Sequence, residues 1–316
     1  MTCARGPNPD PSFLAPPGDI LDWRMVVLFD AASAEGVLDA LPGGPDAIAA
    51  DLGLDAHAVQ VVLDALAVWG VVDRDGEHYV LGPQAPDRDA GAQWRHHARA
   101  IRGWSGNLDR RLRGERDPVR AAMADPEVFL DALAVTARRS APVVVDAVLD
   151  RFPDAKTVLD LGGLHGEYSL EFVRRGLRAT LQDLPTMVDF VRRRGELAAA
   201  GVDLFAGSFF ETLPPGPFDI AFCTGITHTF DGEHNRLLYR RLRPVVSPSG
   251  GVAVISFLRH RQPLADVFAV QMLANANGGD THGEEEYRSW LGEAGFVVDP
   301  GTVDLPGRPQ SAIFAT

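Results

Sequence analysis

Only two cysteines stand in the 316 residues, Cys3 and Cys223, too few and too far apart for a disulfide framework or a zinc site. No apolar run reaches the roughly 18 residues that a membrane-spanning helix needs. The first residues, MTCARGPNPDPSFLAPPGD, lack the apolar stretch of a secretory signal, and 1–18 read as a Pro-rich, flexible tail. The expectation is a cytoplasmic protein. Basic side chains are outnumbered, 30 Lys and Arg against 43 Asp and Glu, for a net charge of -13. That argues against nucleic acid as the main partner, because neutralising phosphates takes clustered Lys and Arg. Two Arg-dense stretches, RRLRGER at 110–116 and RRRG at 192–195, read as solvated helix faces. There is no internal repeat.

What is present divides by pattern. Residues 19–87 read as helices closed by a hairpin. GDILDWRMVVLFDAASAEGVLDAL has helical spacing, GPDAIAADLGLDAHAVQVVLDALAVWGVV reads as helix, turn, helix, and Asp75-Gly76 is a hairpin turn signal. The order is winged-helix-like. DNA binding, the obvious use, is opposed by the second helix, which offers one Gln and no Arg or Lys to base edges. Residues 19–78 hold twelve acidic and two basic side chains, so packing or dimerisation is the expected role. Residues 88–150 read as a helical linker and pocket wall. Trp94, His97, Trp104, Met123 and Phe129 are either wall or plain core.

Residues 151–316 alternate strand and helix. Strands are expected at 157–161, 178–183, 202–206, 218–224, 251–258 and 310–315, and helices at 166–176, 186–199, 233–245 and 284–294. Near-continuous apolar strands between helices predict an α/β fold: a doubly wound, mostly parallel, Rossmann-like sheet preceded by the helical winged-helix-like domain.

The first of these strands runs into LDLGGLHG, residues 159–166. Glycines after a first strand let the backbone turn sharply and approach a ligand, and an acid at the end of the next strand takes ribose hydroxyls. Asp183, 21 residues after Gly162, has that spacing. The order here is Asp-x-Gly-Gly-x-x-Gly, not G-x-G-x-x-G. A carboxylate at Asp160 suits a pyrophosphate poorly and a cationic cofactor end well, such as the amino group and sulfonium of S-adenosylmethionine.

These motifs resemble the S-adenosylmethionine-dependent O-methyltransferases of the plant caffeate/hydroxyindole type and their bacterial natural-product relatives. The run LDLGGLHG, LQDLP, GSFFETLP, GITHTFDGE, LLYRRLRPVVSPSGG and GGDTHGEEEYRSWLGEAGF follows the family's order and spacing. The resemblance covers about residues 20–316. It implies that Asp160, Gly162, Gly163 and Gly166 line the methionine end of the cofactor. Asp183 would hold the ribose, with Leu184, Ser208 and Phe209 beside the adenine. His228 falls on the family's general base. Trp104, Met123, Phe129 and Thr224 are the candidate acceptor contacts. The N-terminal unit would be an intertwined dimerisation module, making a homodimer. No metal is implied, because the sulfonium is already activated.

The departures cluster at the site. Leu164 replaces a glycine and is followed by His165. Ser208 replaces an Asp, and Thr229-Phe230 replace Asp-Trp. Ser256 and Thr281 stand where two carboxylates would orient the catalytic histidine, while Glu284 to Glu286 align with the following helix. Arg138 and Arg139 either meet an anionic acceptor or lie on a solvated helix face. Three readings remain: an O-methyltransferase with an altered site, acting on a phenolic or more acidic oxygen; a family member with hydroxylase, decarboxylase or cyclase chemistry; and a non-catalytic binding protein.

Overall fold

The computed structural model describes residues 23–115, 126–276 and 279–316. These fall into two compact units, one of residues 23–105 with 126–132, the other of 106–115, 133–276 and 279–316.

The first unit opens with α1 (Trp23–Ala34), α2 (Pro45–Leu52), α3 (Ala56–Val68) and a hairpin of β1 (Val72–Asp75) and β2 (His78–Leu81). Pro45 starts α2, where its missing N–H is not needed, and Gly53 closes it at φ 69°. Asp55 caps α3 by accepting the Ala58 N–H at 2.8 Å. The hairpin pairs Asp75 with His78, so its loop residues are Gly76 and Glu77, one position later than expected. Gly76, at φ 63°, supplies the positive angle that the first loop position takes. Trp94, on α4 (Arg88–Leu112), packs edge-on against Phe29 in a core with Val26, Leu63 and Tyr79. The stretch read as helical contains α4 and α5 (Pro126–Arg151).

The second unit is a seven-stranded sheet in the order β5-β4-β3-β6-β7-β9-β8. Its strands are β3 (Thr157–Leu161), β4 (Arg178–Asp183), β5 (Asp203–Ala206), β6 (Phe218–Thr224), β7 (Val246–Ser256), β8 (Val303–Asp304) and β9 (Ser311–Ala315). The first five run parallel, while β9 pairs antiparallel with both β7 and β8. The helices are α6 (Glu167–Arg174), α7 (Pro185–Arg194), α8 (Glu196–Ala199), α9 (Gly232–Leu242), α10 (Pro263–Asn275) and α11 (Glu284–Glu293). One apolar cluster covers each face, the first built on Val158, Phe172 and Phe222 and the second on Leu159, Tyr239 and Trp290.

Several expected bounds are corrected. The single helix at 186–199 breaks at Gly195, which takes φ 76° and ends α7 before α8 begins. β7 starts at Val246, not 251, and stops at Ser256. Neither α10 nor β8 was expected. The chain passes from β3 to β4 and β5 on one side and to β6 on the other. The switch point is therefore at the carboxyl ends of β3 and β6, where open α/β sheets bind ligands.

Candidate cofactor and active site

At that switch point β3 runs into the loop 162–166. Gly162 sits at φ 64° and donates its N–H to the Gln182 carbonyl at 2.8 Å. A Cβ there would stand 2.4 Å from Ile226, one on Gly163 2.7 Å from Leu181, and one on Gly166 2.4 Å from Leu197. The three glycines are thus required by the loop's own packing. Leu164 holds φ 44°, an angle glycine adopts freely and leucine does not. Its N–H donates to Asp183 Oδ2 at 3.0 Å, which holds it there. Leu164→Gly should therefore be more stable than Leu164→Ala by about 1 kcal/mol, the reverse of their order in ordinary backbone. Urea unfolding of the two variants checks this, and an Ala variant at least as stable as Gly would refute it.

Beneath the loop, Asp160 is fully buried. Its Oδ2 accepts from the Ser169 hydroxyl at 2.6 Å, and its Oδ1 has no hydrogen-bond partner among the described residues. Burial pushes the carboxyl up to about 7, and the neighbouring Asp183 charge adds to the shift. Asp183 accepts from the Leu184 N–H at 2.7 Å as well as from Leu164. Its pKa is also raised, by burial, against the pull of those two bonds. The carboxyl ends of β3 and β4 therefore present a pair of desolvated acids, a setting that favours a cation or hydroxyl donors over an anion.

Leu184, at 47% exposure, stands at the start of α7. The Ser208 hydroxyl accepts from the Phe210 N–H at 3.3 Å, and Phe209 packs on Phe210 and Phe230. His165 accepts the Glu167 N–H on Nδ1 at 3.1 Å, so its proton is on Nε2. Thr224 closes β6 close to the Tyr168 hydroxyl.

His228 lies on a short 3-10 turn, Thr227–Thr229, reached from β6 through Gly225 at φ 69°. The turn is held from several sides. Asn235 Nδ2 donates to the carbonyls of Thr227, Phe230 and Asp231. His282 Nε2 meets the Phe230 carbonyl at 2.7 Å, and the Asp280 N–H donates to the His228 carbonyl at 2.9 Å. Thr227 and Ser256 both bond the Tyr287 hydroxyl, at 2.9 and 3.0 Å. The imidazole stands edge-on to Phe268, with ring centroids 4.8 Å apart. Its Nδ1 is buried without a partner among the described residues, and burial, with a minor contribution from His282, holds its pKa down at about 4.

The pattern that defines the O-methyltransferase domain family matches residues 121–297, more than half of the chain. The chain belongs to this family. It is a methyltransferase whose cofactor is S-adenosylmethionine. The 3-amino-4-hydroxybenzoate 4-O-methyltransferase of Streptomyces cremeus is 29% identical, over 89% of this chain and 84% of its own. The tetracenomycin polyketide synthesis 8-O-methyl transferase TcmO of Streptomyces glaucescens is 27% identical, over 93% of this chain and 97% of its own. The human N-acetylserotonin methyltransferase solved in complex with S-adenosylmethionine has the same fold. Its TM-score is 0.72 at 21% identity, covering 93% of this chain and 94% of that one.

The residues of this methyltransferase fit its cofactor. Asp160 Oδ1 is a buried oxygen with no donor, and both desolvated acids lie at the switch point. The unit brings together Asp160, the three glycines, Asp183, Leu184, Ser208, Thr224 and His228 on the carboxyl edge of one sheet. Trp104 and Phe129 belong to the other unit, where Phe129 meets the His96 ring at 5.6 Å. Met123 lies outside the described residues. Arg138 is no free anion receptor, since it pairs with the buried Glu167 at 3.0 Å, while Arg139 is exposed. Ser256 and Thr281 supply no carboxylate: the first bonds Tyr287, and the second's hydroxyl is buried without a partner among the described residues. Glu284 and Glu286 are engaged in the first turn of α11, by Arg261 and Arg288 and by the Gly283 N–H. Sequence reasoning missed Tyr287 and Asn235 as supports of the His228 turn. It also missed Arg308, considered below.

Proposed function

We propose that the chain methylates an oxygen of a small specialised-metabolite acceptor, and that this oxygen is more acidic than an ordinary phenol. The observation that carries the second half is His228 itself. Its buried, unpartnered Nδ1 and its pKa of about 4 describe an imidazole that is neutral at pH 7 but weakly basic. An ordinary phenol titrates near 10, so full proton transfer to such a ring would run about 8 kcal/mol uphill. An acceptor already ionised, or close to it, needs far less of the base.

In this reading S-adenosylmethionine supplies an activated methyl group on a sulfonium. Asp160 holds its cationic end with the unpartnered Oδ1. Asp183 takes ribose hydroxyls on lone pairs left over from the Leu164 and Leu184 bonds. Leu184, Ser208 and Phe209 border the adenine. His228 Nε2, the ring nitrogen not sealed in the core, faces the acceptor and takes whatever proton it carries. The hydroxybenzoate in the name of the S. cremeus relative supports an acidic aromatic acceptor. The first unit we read as a winged-helix-like dimerisation module of a cytoplasmic homodimer. Its α3, which has no Arg or Lys, and the exposed Val61, Val68 and Leu81 support that use.

Isothermal titration with S-adenosylmethionine and S-adenosylhomocysteine tests the cofactor half, with micromolar binding of both expected. Incubation with hydroxyaromatic acceptors should then release S-adenosylhomocysteine and O-methylated product in equal amounts. Binding of neither cofactor form, or cofactor binding with a product lacking the methyl group, would overturn the reading.

A further inference from the structure

We propose that Arg308 forms a second, anion-binding part of the acceptor site and receives a carboxylate carried by the acceptor. The inference rests on reading this edge of the sheet as the site of methyl transfer to oxygen. Arg308 lies in the loop that joins β8 to β9. β9 begins at Ser311, paired with Ser256 at the carboxyl end of β7, so this loop stands at the sheet edge that also carries the glycine loop and the His228 turn. Arg308 is half-buried as a residue, and its guanidinium has no carboxylate, carbonyl or ring partner among the described residues. The other half-buried arginines beyond residue 150 are all engaged. Arg151, Arg259 and Arg288 meet carboxylates, Arg241 meets the Phe209 carbonyl, and Arg236 and Arg243 lie over the Trp290 and Phe296 rings. A guanidinium partly withdrawn from water without a counter-charge is unfavourable unless a ligand supplies one.

The direction in which Arg308 acts can also be read. Burial raises the Tyr168 pKa, and the Arg308 charge pulls it back, so the guanidinium lies within electrostatic reach of that hydroxyl. The Tyr168 hydroxyl in turn meets Ser140 at 3.0 Å and lies close to Thr224 at the end of β6. Arg308 therefore acts on the β6 side of the site, toward the acceptor contact Thr224. On the cofactor side the desolvated Asp160 and Asp183 repel an anion. Nearby Arg138 is already neutralised by Glu167. In a chain of net charge -13, an acceptor carboxylate finds its local counter-charge at Arg308. The cofactor's methionine end carries the same chemical group, so the test must separate the two sources.

The experiment titrates 4-hydroxybenzoate and its uncharged counterpart 4-hydroxybenzamide into the full chain saturated with S-adenosylhomocysteine. It compares the unsubstituted protein with Arg308→Gln and Arg308→Lys. We expect the carboxylate to bind about tenfold or more tighter than the amide. Arg308→Gln should abolish that preference, Arg308→Lys should keep part of it, and neither should alter S-adenosylhomocysteine affinity. Equal binding of the two probes by the unsubstituted protein, including binding of neither, would overturn the proposal. So would a preference that survives Arg308→Gln. A tenfold loss of S-adenosylhomocysteine affinity in Arg308→Gln would assign the arginine to the cofactor and equally overturn it. Because the readout is binding, absence of O-methylation beside an intact carboxylate preference would sink the proposed reaction and leave the role of Arg308 standing. Thermal unfolding of Arg308→Gln at or slightly above the unsubstituted midpoint is expected, since among the described residues the side chain has no carboxylate, carbonyl or ring partner to lose.

Discussion

Asp160→Asn should make the free protein more stable while loosening its hold on the cofactor. The carboxyl is fully buried, one oxygen is unpartnered, and its pKa stands at about 7 against an ordinary value of 3.8. Between those two pH values the unfolded chain has released the proton and the folded chain still holds it. Stability therefore falls as pH rises through that window, and at pH 8 the ionised, buried group opposes folding in full. Asparagine is close in shape. Its oxygen can still accept from Ser169, and it carries no charge to bury. The expected gain at pH 8 is on the order of 2 kcal/mol, or about 5 °C in Tm, shrinking toward zero near pH 4. Binding moves the opposite way. Without a carboxylate for the cationic end of the cofactor, affinity for S-adenosylmethionine should fall about tenfold or more. Thermal unfolding at pH 8 and pH 4, with titration of the cofactor, reads both effects. A variant less stable than the parent at pH 8, or one that keeps full affinity, would show that Asp160 is a structural acid and not a binding one.

Much of this design was legible from residue order. β3 and β6 are near-continuous apolar runs, β4 carries apolar residues at Ala179 and Leu181, and all three form over the expected ranges. Asp183 was singled out by its distance of 21 residues from Gly162, and Asp160 by the order Asp-x-Gly-Gly. Other features had no periodic signal. α10, PLADVFAVQMLAN, is apolar around its whole circumference, so neither helical nor strand spacing stands out. The start of β7 was hidden by Pro248 and Ser249, which read as loop. The helix expected over 186–199 runs through Gly195, whose positive φ ends α7. The reason for the loop glycines was legible only in three dimensions, because Ile226 and Leu197, which forbid a Cβ there, come from distant strand and helix ends. Arg308 was illegible for the same reason. LPGRPQ looks like any turn until an antiparallel last strand brings it to the site edge. The loss of carboxylate support around His228 was foreshadowed by Ser256 and Thr281. The supports that stand in its place, Tyr287 and Asn235, reach the turn from α11 and α9.

Replacing His228 with alanine should separate acceptors by their acidity. For an acceptor whose oxygen is protonated at the assay pH, Nε2 is the group left to take the proton, and turnover should fall about a hundredfold or more. For an acceptor already ionised, the same variant should lose only a few-fold, since alignment of oxygen, methyl carbon and sulfur then carries the rate. The pH dependence follows from the same burial. With its pKa held at about 4, His228 stays neutral through the physiological range, so the acid limb should lie near or below pH 5 and not near the ordinary 6.5. Stability carries the matching sign. Between about 4 and 6.5 the unfolded chain binds a proton at this histidine that the folded chain refuses, so His228 favours folding above pH 6.5 and opposes it as pH falls through that window. A carboxylate poised on Nδ1 would have given the opposite, a raised pKa and a strong base. The sealed, unpartnered Nδ1 gives a weak one. Rate profiles of the parent and of His228→Ala, on one acceptor titrating near pH 10 and one titrating below pH 6, decide the matter. Equal losses on both would remove proton transfer from the role of His228, and an acid limb near 6.5 that disappears in the alanine variant would mean that the ring is solvated in the working enzyme.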